Sequence, residues 1–197
     1  MSLTSVAAYL KSGARAARPL DHRKLGMWLF IGSEVMFFGG FIAAYVRFKV
    51  IDPEASHVLD VPLTTFNSFL LLTSSFTVVS ALAAIRRNDI RTMWNYLIAT
   101  FFLGLGFLMG QAMEFSKLAY EGITVHSIFG STFFSVTSFH GFHVFVGLVW
   151  LLWVLAKTMG RRIVGADQAM QIEIFGLYWH FVDVVWIFLF TIIYLVR

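Results

Sequence analysis

Residues 25–46 read LGMWLFIGSEVMFFGGFIAAYV, a run of 22 residues that is apolar almost throughout. As a helix it would extend about 33 Å, one bilayer crossing. A single ionisable residue, Glu34, interrupts it. Nine residues of helix carry that carboxyl about 14 Å inward, close to the midplane. On insertion scales an Asp, Lys or Arg at that depth costs roughly 2.5–3.5 kcal/mol, so such a group normally faces protein or a polar cavity and has a partner. The rest of the chain has to supply that partner.

The chain can do so only as a membrane bundle. Of its 197 residues, 58% are hydrophobic and 13% charged, against about 25% charged in a soluble domain. The fold class is therefore all-α, a polytopic bundle of transmembrane helices. The net charge of +4 resides in short connections between apolar runs, which argues against a nucleic-acid surface. The sequence has no cysteine. That excludes disulfides, a thiol nucleophile, Fe–S ligation and covalent haem attachment.

Residues 1–24 form a basic N-terminal segment. Leu3, Val6, Ala7 and Leu10 recur there at helical spacing and fit a short interfacial helix. A Ser- and Arg-rich start also has the composition of an organellar presequence. The transmembrane domain, 25–197, divides by length and hydropathy into five spans at about 25–46, 61–85, 93–115, 130–156 and 172–196. In the third, Gly106 and Gly110 stand four apart, a spacing that suits close helix approach. Lys11, Arg15, Arg18, Arg23, Lys24, Arg86, Arg87, Arg91, Lys157, Arg161 and Arg162 fall on one side of a five-span chain, and Arg47, Lys49, Lys117 and Arg197 on the other. This excess of basic residues predicts a cytoplasmic N-terminus and an outer C-terminus.

Helical rise also orders the polar groups by depth. His140 falls about 15 Å inside the fourth span and His143 about 20 Å; His180 falls about 10 Å inside the fifth and Asp183 about 15 Å. Glu34, His140 and Asp183 thus share the midplane. His140 with His143, and His180 with Asp183, each stand three apart, one helix face per pair. Glu114 lies near the outer end of the third span, beside Gln111. Three readings stay open for this set: interhelical hydrogen bonding, a metal or haem site built from several helices, and a proton or ion path. No Glu-x-x-His pair or other complete ligand spacing is present.

Three stretches carry a resemblance: GMWLFIGSEVMFFGGF, GSTFFSVTSFHGFHVFVG and YWHFVDVVWIFLF. In kind and order they resemble subunit III of the haem-copper terminal oxidases, over about residues 24–196, in the short five-helix form that lacks the first two helices of the mitochondrial members. The resemblance implies a non-catalytic subunit of a proton-pumping respiratory enzyme. It implies no catalytic, cofactor-binding or metal residue in this chain, with haem and copper held by partner subunits. The implied partners are subunit I by direct packing, subunit II, a small subunit IV and structural phospholipids, without nucleic acid. The implied roles are to stabilise the catalytic subunit, support proton uptake and hold lipid.

Glu34 matches the family's membrane-buried, carbodiimide-reactive glutamate, and Glu114 the glutamate after a Gln-Ala pair. Lys157 stands where mitochondrial members carry a lipid-binding Arg, so Lys157, Arg161 and Arg162 form an expected headgroup site. Ser-Glu-Val-Met-Phe-Phe around Glu34 resembles the aa3-type cytochrome c oxidases, ahead of quinol oxidases and of a nitric oxide reductase accessory subunit. A free-standing proton or ion carrier is the reading from a different class. The expected location is the bacterial cytoplasmic membrane, ahead of the mitochondrial inner membrane.

Overall fold

The computed structural model describes residues 21–49, 59–123, 125–158 and 166–196. The proposed interfacial helix at the N-terminus, and Arg161 and Arg162, lie outside them. Five helices follow in order: α1 His22–Lys49, α2 Val61–Arg86, α3 Ile90–Tyr120, α4 Ile128–Thr158 and α5 Ala166–Phe190. A five-residue π turn, Thr191–Leu195, continues α5. All five are long and apolar enough to cross a membrane, and there is no strand among the described residues. The all-helical, five-span architecture expected from hydropathy is the one observed.

The elements end where the local chemistry requires it. The Asp60 carboxylate caps α2 by accepting from the Leu63 N–H at 3.2 Å, and Pro62 occupies the first turn, where no N–H is needed. Between α2 and α3 the chain reverses in three residues. Asn88 takes a left-handed φ of 59°, and Asp89 caps α3 by accepting from the Thr92 N–H. Asn tolerates that conformation better than most residues. Gly122, at φ 82°, closes α3 at its other end, with its N–H bonded to the Ala119 carbonyl.

The bundle is built on α5, which packs against α1, α2 and α4. Half of its most apolar window is buried, against 17% for α1, so α5 is the centre and α1 the periphery. Trp179 and Trp186, both fully buried, are its main knobs. Glycines make room for them. A Cβ on Gly104 of α3 would sit 3.0 Å from the Trp179 ring, and one on Gly147 of α4 would sit 2.7 Å from it. The indole N–H groups are satisfied from α2: Trp179 donates to Ser74 Oγ and Trp186 to Ser68 Oγ, each at 2.8 Å. Two serines of α2 are thus the partners of the buried tryptophans.

Candidate functional site

The polar side chains at membrane depth fall into three groups. The first joins α1 to α4. His143 Nε2 stands 3.2 Å from Glu34 Oε2. Both side chains are largely buried, at 13% and 18% exposed, so each is the other's main polar company. The His143 ring is oriented by its other nitrogen, 2.7 Å from the Phe139 carbonyl. Tyr178 of α5 donates to the His143 carbonyl at 2.9 Å. This pair forms one wall of a groove of about 440 Å³ lined by Met27, Phe30, Phe142, Val146, Trp150 and Tyr178. Below it, Lys24 and Glu173 meet at 2.6 Å and tie the starts of α1 and α5.

The second group ties α2, α3 and the π turn. Glu114 is 3% exposed. Thr64 donates to one carboxylate oxygen at 3.0 Å and Tyr194 to the other at 2.9 Å. One turn away Gln111 donates to the Thr137 carbonyl of α4 at 2.6 Å. Where α3 emerges, Lys117 Nζ lies 2.9 Å from Asp60 Oδ2. That ammonium, with the Leu63 N–H, holds the Asp60 carboxyl below the usual carboxylate range.

The third group lies along α5. His140 of α4 is wholly buried, stacked on Trp186 with ring centres 4.9 Å apart and edge-on to Phe107. Neither of its ring nitrogens has a hydrogen-bond partner among the described residues. His180 pairs with Ser75 of α2 through Nδ1. Asp183, also buried, makes no hydrogen bond among them.

The carboxyl of Glu34 therefore meets His143, whereas depth along the helices had set it level with His140 and Asp183. Glu34, His140 and Asp183 share no hydrogen bond. Thr64, Tyr194, Tyr178 and Ser75 complete the groups, and no sequence pattern marked them. No set of three or more His, Asp or Glu side chains converges to hold a metal among the described residues. Lys157, exposed at the end of α4, stands over the Trp153 ring at 5.3 Å. This arrangement can bind helices to one another and offer one carboxylate–imidazole pair to a groove.

Comparison with known proteins agrees in extent. The family model described as cytochrome c oxidase subunit III matches residues 11–196. Cytochrome c oxidase subunit 3 of Bacillus sp. (strain PS3) is 36% identical over 175 residues, covering 87% of this chain and 84% of that protein. The protein of the same name from Thermostichus vulcanus is 37% identical over 180 residues, covering 89% and 88%. A probable quinol oxidase subunit 3 from Staphylococcus saprophyticus is 34% identical over 179 residues, covering 88% of each.

Proposed function

The chain belongs to the cytochrome c oxidase subunit III family, and we propose that it serves an aa3-type cytochrome c oxidase as its non-catalytic third subunit, packed against the subunit that holds the haems and copper. The observation that carries this reading is the way the intramembrane glutamates are used. Glu34 is engaged by His143, and Glu114 by Thr64 and Tyr194. Carboxylates hydrogen-bonded to side chains on neighbouring helices hold a bundle together. The chain then acts by shape. It stabilises the catalytic subunit, keeps proton uptake into it fast, and holds phospholipid.

In this reading the N-terminus is cytoplasmic, since the basic residues concentrate on that side, and the membrane is the bacterial cytoplasmic membrane. Lys157, with Arg161 and Arg162, holds an anionic headgroup at the same face. The test is purification of the complex through this chain in mild detergent. Haem absorbance and oxygen uptake driven by reduced cytochrome c support the proposal; a purified chain without haem contradicts it. A second reading, a quinol oxidase, draws on the Staphylococcus relative. It takes the place of the first if quinol drives oxygen uptake and cytochrome c does not.

A further inference from the structure

The contact between Glu34 and His143 needs a hydrogen that neither ordinary form supplies. His143 Nδ1 stands 2.7 Å from the Phe139 carbonyl oxygen. A carbonyl oxygen only accepts, so Nδ1 carries a hydrogen. In a neutral imidazole the other nitrogen, Nε2, is then a bare acceptor. It faces Glu34 Oε2 at 3.2 Å, and an ionised carboxylate also only accepts. Two bare acceptors at that distance repel. The contact is a hydrogen bond when one hydrogen lies on the line between Oε2 and Nε2, whether it rests on the carboxyl or on the ring.

The two ring nitrogens cannot exchange places. A half-turn of the ring would set Cδ2 against the carbonyl and Cε1 against the carboxyl, and both bonds would be lost. Phe38, 2% exposed, lies edge-on to the ring at 5.1 Å, and Phe142 at 6.1 Å, which holds its plane. The surroundings also fix the count of hydrogens. With one the pair is neutral, with none it is an anion, and with two it is a cation. A net charge is costly at this depth, and no counter-ion stands beside the pair among the described residues. Lys24 is paired with Glu173, and Lys117 with Asp60. Tyr178 donates its hydroxyl to the His143 carbonyl. His140, wholly buried one turn away, is enclosed by the rings of Trp186 and Phe107.

We propose that Glu34 and His143 form a binding site for one proton, held in place between α1 and α4, and that this bound proton fastens α1 to the bundle. The Phe139 carbonyl makes the site, because it fixes the ring hydrogen at Nδ1 and turns Nε2 toward the carboxyl. The fastening matters most for α1, whose apolar window is the least buried of the five. Its other ion pair, Lys24 with Glu173, lies at its start. The site follows from this chain's own geometry and goes beyond the oxidase reading.

The test counts the hydrogens on the pair, in the complex in native membranes at neutral pH. NMR of isotope-labelled histidine reads both ring nitrogens, with His143 assigned by its loss in His143→Gln. The infrared band of isotope-labelled glutamic acid reads the carboxyl, assigned by its loss in Glu34→Gln. Nδ1 should be protonated, with one hydrogen in total between Oε2 and Nε2: an acid facing bare Nε2, or a carboxylate facing protonated Nε2. A carboxylate facing bare Nε2, an acid facing an imidazolium, or a bare Nδ1 overturns the proposal. The fastening is read separately, from the distance between spin labels on Met27→Cys and Val146→Cys. These two positions line the groove, in a chain with no cysteine of its own. The parent should give one narrow distance. Glu34→Met and His143→Met, which keep bulk but make no such bond, should each lose it. Glu34→Gln, whose amide brings its own hydrogen, should keep it. A narrow distance retained in both Met variants defeats the fastening. Haem absorbance of the same preparation reports on the oxidase reading and has no bearing on the count.

Discussion

At the scale of residues, what decides the role of Glu34 is what His143 can and cannot replace. Gln at position 34 keeps an acceptor 3.2 Å from the imidazole, so Glu34→Gln should leave stability and turnover close to those of the parent. Glu34→Ala strands the ring nitrogen and should cost about 1–3 kcal/mol, read from unfolding in detergent. Abolished proton uptake in an assembled Glu34→Gln complex would instead assign a relay. Glu114 makes a sharper case, with two donors on two other segments. A double-mutant cycle of Glu114→Gln with Tyr194→Phe should give a coupling of about 0.6–1.7 kcal/mol, in line with interhelical hydrogen bonds measured in a membrane protein; additive effects would show that the bond contributes nothing. The depth of these residues was legible in the sequence, because helical rise is fixed. Their partners were not. His140 and His143 lie on one broad face but about 60° apart around the helix, and only the packing of α1 on α4 selects between them.

At the scale of elements, the glycines of α3 separate two ways of reading a spacing. Gly106 and Gly110 look equivalent in sequence. In the bundle a Cβ on Gly106 would meet Leu70 at an ordinary 3.4 Å, whereas one on Gly110 would overlap the Asn67 amide. Gly110→Ala should therefore destabilise by about 1–3 kcal/mol, the usual cost of overpacking, and Gly106→Ala by clearly less; equal losses in thermal unfolding would contradict this packing. The Asp60 cap gives a pH signature. Lys117 and the Leu63 N–H favour its ionised form, so its folded pKa lies below the unfolded value. Its contribution is then complete above the unfolded pKa of about 4 and is lost as the pH falls through the folded one. For an ion pair this exposed it is at most about 1 kcal/mol. The acid limb of the stability profile should flatten in Asp60→Asn, and an unchanged limb would refute the assignment. Helix ends were less legible than helix cores. Hydropathy stops near Phe115, but α3 runs on to Tyr120, because hydrogen bonding along a helix continues past the apolar layer until Gly122 supplies a left-handed stop.

At the scale of the whole molecule, the five spans were legible because each is an apolar run of membrane length, and no packing was needed to see them. The central place of α5 was not, since its apolar content matches that of its neighbours. It follows from the two tryptophans that the serines of α2 and the glycines of α3 and α4 admit. The orientation is open to direct test, because the chain has no cysteine of its own. Cysteines placed at Arg87 and at Glu121 should label from opposite sides of intact membranes, Arg87→Cys from the cytoplasmic one; labelling of both from one side would contradict the topology. The central claim, that this chain serves the oxidase without taking part in its redox chemistry, is tested most directly by removing it. Haem content, initial oxygen uptake and the lifetime of turnover are measured on the same preparation before and after depletion of this subunit. The haem spectrum should be unchanged, the initial rate substantial and the lifetime shortened, because slower proton supply leaves reactive oxygen intermediates standing longer at the metal centre. Loss of haem with the subunit, or a depleted complex that lasts as long as the intact one, would contradict it.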